Sequence, residues 1–261
     1  MSSPLALDGR PGVTNGRPFA ALAMYPFPEL RAGWDAVYSV VAAGVDGAPR
    51  LLDWDLDPHE SWLDPAMQLA MTCGWPLVTT LGDRVRVVGA FAYTVDGASS
   101  HLYRSVVIAR TGETPSTSAV AAINSPESLS GNVSLCAAYD VGSNLWPGRI
   151  VWTGAHVNSI AAVRSGVAEV ASIDAVSWAV LARDHPSTVT GLAVIGHGPA
   201  VPCLPFIVSA ATSDAQLDAW RVGFARAAAT SALAGVRRDL LVGGFVPLDL
   251  ADYETALAAF R

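Results

Sequence analysis

Serine hydroxyls lie at the start of a predicted helix in the segment Asn-Ser-Pro-Glu-Ser-Leu-Ser-Gly, residues 124–131. The segment follows an apolar run that predicts a strand, and ligands of open α/β sheets collect at the carboxyl ends of strands. The first N–H groups of a helix lack partners and attract anions, and Ser128 and Ser130 would add uncharged donors. A simpler interpretation is that one of these serines only caps the helix. The sequence leaves both interpretations open.

A histidine and an aspartate follow the next two predicted strands. His156 lies in Thr-Gly-Ala-His-Val-Asn-Ser, residues 153–159, where a first-turn histidine can donate to an oxyanion or can be a cap or core residue. Asp174 follows the next apolar strand, where its carboxyl group can accept a proton from a ligand or cap a helix. Because three successive strand ends carry polar groups, we expect the serines, His156 and Asp174 to form one oxyanion site.

The sequence lacks the common catalytic patterns. All 16 basic residues are arginines, which excludes Schiff-base lysines and the lysine of a P-loop. The pair at residues 59–60 lacks the second histidine of a zinc-protease helix, no Gly-x-Ser-x-Gly surrounds either serine, and residues 196–198 lack the third glycine of a dinucleotide fingerprint. Cys73 has no assignable base. We therefore predict no catalytic residue, no metal and no cofactor.

Charge and cysteine content exclude further classes of function. A net charge of −7 argues against nucleic-acid binding, which needs a basic face. The three cysteines lie too far apart in sequence to indicate a zinc site or a disulfide framework. An anionic ligand must therefore be attracted by local dipoles.

The N-terminus and the hydropathy pattern bear on location. Residues 1–18 lack a basic start followed by a long apolar run, and we predict a flexible tail there. No run of about 18 uncharged apolar residues follows, so we expect a protein that is not embedded in a membrane. As given, the sequence predicts a cytoplasmic protein, or a periplasmic one if a native signal was removed.

The elements that must position these residues follow from apolar periodicity. A second apolar-periodic stretch runs from 64 to 71, and we predict neither a helix nor a strand for it. Alternation of strands and helices after residue 119 predicts parallel strands with crossover helices. Strands are predicted at 19–25, 85–93, 103–110, 119–123, 150–153, 167–173, 192–195 and 206–211, and helices from 28 to 41, from 130, from 156, at 175–183 and at 214–229.

Two breaks in the pattern predict a division into two lobes. The strand predicted to end at Arg110 leads into Thr-Gly-Glu-Thr-Pro, and a proline-rich stretch spans 199–205. If the chain crosses from one lobe to the other at both places, residues 111–204 form an insert lobe, while 19–110 and 205–261 form the other lobe. A cleft between the lobes would follow.

The same residues resemble a known family, the substrate-binding proteins of phosphate, phosphite and phosphonate ABC transporters, called PhnD-like. The motifs that carry the resemblance are residues 124–131, Thr-Gly-Ala-His at 153–156 and Ala-Ser-Ile-Asp at 171–174. A Thr-Cys-Gly-Trp-Pro-Leu segment at 72–77 is similar to a short subgroup. The resemblance implies an α/β, two-lobed type II periplasmic-binding fold, with mixed sheets, flanking helices and a ligand in the interlobe cleft.

The resemblance also implies a set of binding residues. Ser128, Ser130, Gly131 and His156 match the family's oxyanion grip. Leu129 stands where many members carry threonine.

Three further residues match family positions outside this grip. Tyr103 matches a tyrosine before the first crossing between the lobes, and Tyr25 matches one near the end of the first strand, which would line the pocket. Asp174 matches a later acidic contact of the family. The implied partners are a small anionic ligand and an ABC-transporter permease.

Three functions stay open at this point. The first is a solute-binding protein for a phosphate-, phosphite- or phosphonate-like oxyanion. The second is a cytosolic enzyme on the same fold that acts on a small carboxylate, as chorismate dehydratase does. The third is a sensory ligand-binding module.

Overall fold

Two five-stranded sheets form the framework of the protein in a computed structural model that describes residues 16–260. Most of the predicted N-terminal tail lies outside the described residues. Both sheets mix parallel and antiparallel pairs, and helices flank them, which confirms the predicted α/β class. The strands are β1 (Phe19–Ala21), β2 (Met67–Met71), β3 (Val85–Tyr93), β4 (Leu102–Arg110), β5 (Ala121–Ile123), β6 (Ile150–Trp152), β7 (Val170–Ile173), β8 (Leu192–Pro202), β9 (Pro205–Ser209) and β10 (Val242–Val246).

Helices connect and cover these strands. The α-helices are α1 (Arg31–Ala42), α2 (Pro58–Ser61), α3 (Gly74–Pro76), α4 (Ser134–Ala138), α5 (His156–Ser165), α6 (Ala175–Asp184), α7 (Pro186–Val189), α8 (Asp214–Ala229), α9 (Ala234–Asp239) and α10 (Leu250–Leu257). Two π-helical turns, Leu77–Leu81 and Leu129–Val133, adjoin α3 and α4, and 3-10 turns lie at Pro28–Leu30, Gly82–Arg84, Ser231–Leu233 and Ala258–Phe260.

The first sheet has the strand order β1-β2-β9-β3-β10, with only β1 and β2 parallel. The apolar-periodic stretch that ends at residue 71 contains β2. This strand lies between β1 and β9 inside the sheet, which explains its nearly continuous apolar sequence. Helix α1 buries Trp34, Val37, Tyr38 and Val41 at helical spacing and packs its Tyr38 ring on Trp220 of α8, with centroids 6.5 Å apart.

The second sheet has the order β6-β5-β7-β4-β8. Its three strands β5, β6 and β7 are parallel, as the alternation with helices predicted, while β4 pairs antiparallel with β7 on one side and with β8 on the other. Strand β8 continues to Pro202, well beyond the predicted end at residue 195. Pro199 and Pro202 lie in β8, an edge strand whose register with β4 shifts beside Pro199, and Pro205 is the first residue of β9; these are positions where strands tolerate proline.

Strand pairing places the first crossing earlier than residue 111. We expected residues 102–110 in the first lobe, but β4 pairs with β7 and β8 of the second sheet. By strand pairing, the chain crosses between Tyr93 and Leu102, and it returns through Cys203 and Leu204. Cys203 N–H donates to His101 O at 2.8 Å, so the two crossing segments are hydrogen-bonded to each other.

Apolar packing continues from one half of the molecule to the other. The larger core contains an aromatic group in which the rings of Phe206 and Phe224 stack 4.1 Å apart. Leu129 and Val176, which follow strands of the second sheet, pack into this same core. The ends of the second sheet's strands are thereby held against the first sheet.

Candidate functional site

A cavity of about 620 Å³ lies between the two halves. Its lining comes from segments that follow β1, β2, β5, β6 and β7, so it lies at the carboxyl ends of strands from both sheets. This is where α/β proteins place their ligands. The lining residues are Ala23, Met24, Tyr25, Pro26, Phe27, Pro28, Glu29, His59, Trp62, Cys73, Pro76, Asn124, Ser125, Glu127, Ser128, Ser130, Gly154, Ala155, His156, Val157, Asp174, Ser177, Leu181, His185, Thr188 and Leu204.

The two serines have different partners. Ser128 is an N-cap: its Oγ accepts from Gly131 N–H at 2.9 Å, and its carbonyl accepts from the two residues that follow Gly131. Ser130 Oγ lies 2.9 Å from His156 Nε2. Both serines are buried and line the cavity. The cap interpretation is therefore correct for Ser128, while the Ser130 hydroxyl is held by a histidine of the neighbouring strand end.

Gly131 lies behind the cavity wall, not among its lining residues. A Cβ atom at this position would collide with the side chain of Asn124, whose Oδ1 is buried with no hydrogen-bond partner in the described part of the chain. The absence of a side chain at Gly131 therefore allows Asn124 to lie against the start of the helix and to line the cavity.

His156 is the first residue of α5, and the N-cap before it, Ala155, offers no side-chain acceptor to the helix. The first N–H groups of this helix thus keep their capacity for a ligand acceptor. Burial lowers the pKa of His156, against a smaller opposing effect of the Asp174 charge. Nδ1 is buried and has no hydrogen-bond partner among residues 16–260. The ring is therefore a neutral group at neutral pH, held through Nε2 by Ser130.

Asp174 is buried and engaged by three donors. Oδ1 accepts from Ser177 N–H at 2.8 Å, which caps α6, and Oδ2 accepts from the hydroxyls of Tyr103 at 2.7 Å and Tyr25 at 3.4 Å. Burial first, and the Asp174 charge second, raise the pKa of both tyrosines well above the ordinary value. Both hydroxyls therefore remain protonated donors, and Tyr25 joins the first half of the molecule to Asp174 of the second.

Five of the seven residues expected in the site line the cavity: Tyr25, Ser128, Ser130, His156 and Asp174. Tyr103 does not; it is 1% exposed and reaches the cavity only through its bond to Asp174. Together with Gly131, it supports the wall from behind.

The sequence did not predict a hydrogen-bonded histidine–glutamate pair that borders the cavity. His185 Nε2 lies 2.6 Å from Glu29 Oε1, and both residues line the cavity from opposite halves. The pKa of Glu29 is lowered by its own backbone N–H and by His185. The two residues lie 156 positions apart, so no local sequence signal could have paired them.

The apolar part of the wall was also missed. Trp62 follows α2, and Leu181 lies on α6; both side chains are 4% exposed. Trp62 was not recognised as a site residue because it lies between α2 and β2, in a segment for which periodicity predicts no element. Met24, Phe27, Pro76 and Leu204 also belong to this part of the wall.

The cavity carries no permanent positive charge. Within residues 16–260 the lining includes no arginine, and the sequence has no lysine. Glu29, Glu127 and Asp174 are its acidic members. In the same described range no group of three or more His, Cys, Asp or Glu side chains is placed to hold a metal. The donors available to an anion are hydroxyls, histidine imidazoles, the Asn124 amide and backbone N–H groups.

Two mixed sheets joined by two crossings, with a polar cavity at their strand ends, define a type II periplasmic-binding-protein fold, the class of two-lobed solute-binding proteins. Residues 60–253 match the family described as the periplasmic substrate-binding protein of phosphonate ABC transporters. The match covers most of the sequence, and the chain belongs to this family. A search of curated protein sequences gave no significant match.

Solved structures agree on the fold. A binding-protein component of an ABC phosphonate transporter from Pseudomonas aeruginosa has a TM-score of 0.73 at 17% identity, covering 93% of this chain and 84% of that one. PhnD1 from Prochlorococcus marinus, in complex with methylphosphonate, has a TM-score of 0.71 at 10% identity, covering 93% and 96%. A Xanthomonas citri protein bound to chloride has a TM-score of 0.66 at 15% identity, again covering 93% and 96%. These likenesses confirm the predicted two-lobed fold.

Proposed function

We propose that the protein binds one small oxyanion, of the phosphate, phosphite or phosphonate type, in the cavity between its halves. The observation that carries the proposal is the convergence of two helix starts on one cavity, with Ser130 and His156 joined between them at 2.9 Å. Helix N-termini attract anions through free N–H groups and the positive end of the dipole. Ser128 and the hydrogen-bonded pair of Ser130 with His156 would supply the side-chain donors.

Electrostatics favours a ligand with a single net negative charge or a zwitterion. The lining has three carboxyl groups and, in the described range, no arginine, so a dianion would meet repulsion that no permanent cation offsets. Asp174 already accepts three hydrogen bonds, which reduces its demand for a ligand proton. A protonated phosphonate oxygen or an amino group on the ligand would donate a hydrogen bond to one of these carboxyl groups.

Family membership supports delivery of the ligand to an ABC-transporter permease, and we infer that the protein works as the soluble receptor of such a system outside the cytoplasmic membrane. No helix among residues 16–260 is long and apolar enough to span a membrane. Affinity purification with cross-linking in the native host would recover a permease if this inference holds, and recovery of only soluble partners would contradict it.

Calorimetry with purified, ligand-free protein tests the binding proposal. Titration with phosphate, phosphite, methylphosphonate and 2-aminoethylphosphonate should give saturable heat with at least one of them, and none with acetate. No heat with any of the four would refute the proposal.

A pair of matched variants separates binding from capping. Ser128 and Ser213 both cap helices, and Ser213 lies away from the cavity. Ser128→Ala and Ser213→Ala should each lower stability by about 1 kcal/mol. Only Ser128→Ala should also weaken anion binding, by roughly tenfold, because it removes a donor at the anion.

A further inference from the structure

The cavity is larger than an oxyanion requires. Its volume is about 620 Å³, in the range typical of pockets for drug-sized ligands. A methylphosphonate has about five non-hydrogen atoms, and at roughly 30 Å³ each, the share of one water molecule, they would take about 150 Å³. Most of the cavity lies beyond the group of donors at Ser128, Ser130 and His156.

This space is not a gap between separated halves. The halves already touch through the hydrogen bond from Tyr25 to Asp174 and through the hydrogen bond between Glu29 and His185, and all four residues border the cavity. The apolar core is also continuous between them at Leu129. The volume therefore belongs to halves that are in contact.

The surface around the extra space is apolar and aromatic. Trp62, Leu181 and Leu204 are buried, and Phe27 is half-buried between the cores of the two halves. The Trp62 N–H is already used by Met71 O at 3.0 Å, so the indole offers only its ring to the cavity. We call Phe27, Trp62, Leu181 and Leu204 the apolar wall.

The charged groups of the lining limit what this wall can accept. Glu29 and Glu127 are acidic and partly exposed, and the described lining has no arginine. A second anionic group on the ligand would meet no arginine or lysine in the described lining and would lie near carboxylates. Burial of uncharged apolar surface against the wall is favourable instead.

We infer that the ligand is an organic oxyanion with a bulky, uncharged apolar substituent, such as an aromatic ring, which lies against the apolar wall while the oxyanion lies at Ser130 and His156. This inference rests on the proposed function, because it assumes that the polar end of the cavity holds the anion. It makes methylphosphonate an incomplete ligand for this protein.

Calorimetry with three probes tests the inference: methylphosphonate, benzylphosphonate and benzylphosphonate with a para-carboxylate. Benzylphosphonate should bind at least tenfold more tightly than methylphosphonate, and the added carboxylate should remove most of that gain. Equal or weaker binding of benzylphosphonate, with methylphosphonate still bound, overturns the inference and leaves the proposed function standing. No binding by any probe overturns the proposed function, and the inference with it.

Two variants locate the substituent. Phe27→Ala should lower the ratio of benzylphosphonate affinity to methylphosphonate affinity at least fivefold. Phe260→Ala is the matched control, because Phe260 is also a half-buried phenylalanine on the larger core but does not line the cavity, and it should keep the ratio. An unchanged ratio in Phe27→Ala would overturn the assignment of the wall.

If Phe27→Ala does not fold, Thr188→Trp gives a second route. Thr188 is a half-buried lining residue on α7, and a larger side chain there reduces the space beyond the oxyanion. The affinity ratio should fall in this variant as well, and a ratio that stays at the wild-type value would count against the inference.

Discussion

The His185 ring of the second half lies 2.6 Å from the Glu29 carboxylate of the first half, at the border of the cavity. The side chains of Glu29 and His185 are 37% and 49% exposed, so water screens the pair and its contribution to stability is small. Its effect should be seen in pH dependence more than in the total free energy of unfolding.

Glu29→Gln should reduce the loss of stability in acid. The folded-state pKa of Glu29 is lowered from 4.5, so its contribution is present above that value and is lost as pH falls through the lower folded-state pKa. The free energy of unfolding, measured with urea at several values between about pH 3 and pH 6, should change less steeply with pH in the variant than in the wild type. Glu254→Gln serves as the control on α10, away from the cavity. Equal slopes for wild type and Glu29→Gln would contradict the assignment.

His156 should produce a second pH dependence. Burial lowers its pKa below 6.5, so the unfolded chain binds a proton that the folded chain does not, and stability falls as pH drops from 6.5 towards the folded-state pKa. His156→Asn should remove this part of the pH profile, whereas His197→Asn on the exposed face of β8 should keep it. NMR titration of the imidazole gives a direct check, and a midpoint at or above 6.5 would contradict a buried, neutral ring.

Tyr103→Phe should destabilise the protein more than Tyr25→Phe. The Tyr103 hydroxyl donates to the Asp174 carboxylate at 2.7 Å, the Tyr25 hydroxyl at 3.4 Å, and a hydrogen bond to a buried charge contributes roughly 1.5–3 kcal/mol. Tyr38→Phe provides a neutral reference, since that hydroxyl donates to a backbone carbonyl at 2.8 Å. Chemical denaturation measures all three variants. The reverse order of Tyr103 and Tyr25 would show that Asp174 is held differently.

Gly131→Ala should lower both stability and anion affinity, because its methyl group would displace the Asn124 side chain from the start of the helix. The two positions are in contact, so a double-mutant cycle with Asn124→Ala should give a coupling of about 0.5–3 kcal/mol. Gly142→Ala is the matched control, since a Cβ there meets nothing within 4 Å. Strict additivity of the two substitutions would disprove the contact.

Helices with a clear apolar period, and polar groups at the ends of strands, could be predicted from the sequence. Helix α8 has the predicted bounds and α5 the predicted start, because apolar spacing and end signals agree there. Ser128, Ser130, His156 and Asp174 all reach one cavity, since consecutive parallel strands bring their carboxyl ends to one edge.

Other features depend on long-range pairing, which local patterns do not encode. The membership of β4 in the second sheet is decided by its ladders with β7 and β8, not by its own residues. Similarly, Tyr103 lies in the strand pattern between Leu102 and Arg104 with no local sign of a partner, and only the fold brings its hydroxyl to Asp174. The apolar wall comes from distant segments whose side chains are typical of any core.

The hydrogen bond from Cys203 N–H to His101 O ties the two crossing segments together, and the Tyr253 hydroxyl holds Cys203 O at 2.7 Å. A rotation of one sheet relative to the other about an axis through these crossing segments would keep both hydrogen bonds. Atoms far from an axis move through longer arcs than atoms near it. The same small angle would therefore leave the buried crossings almost in place and produce its largest displacement in the parts of the cleft farthest from them.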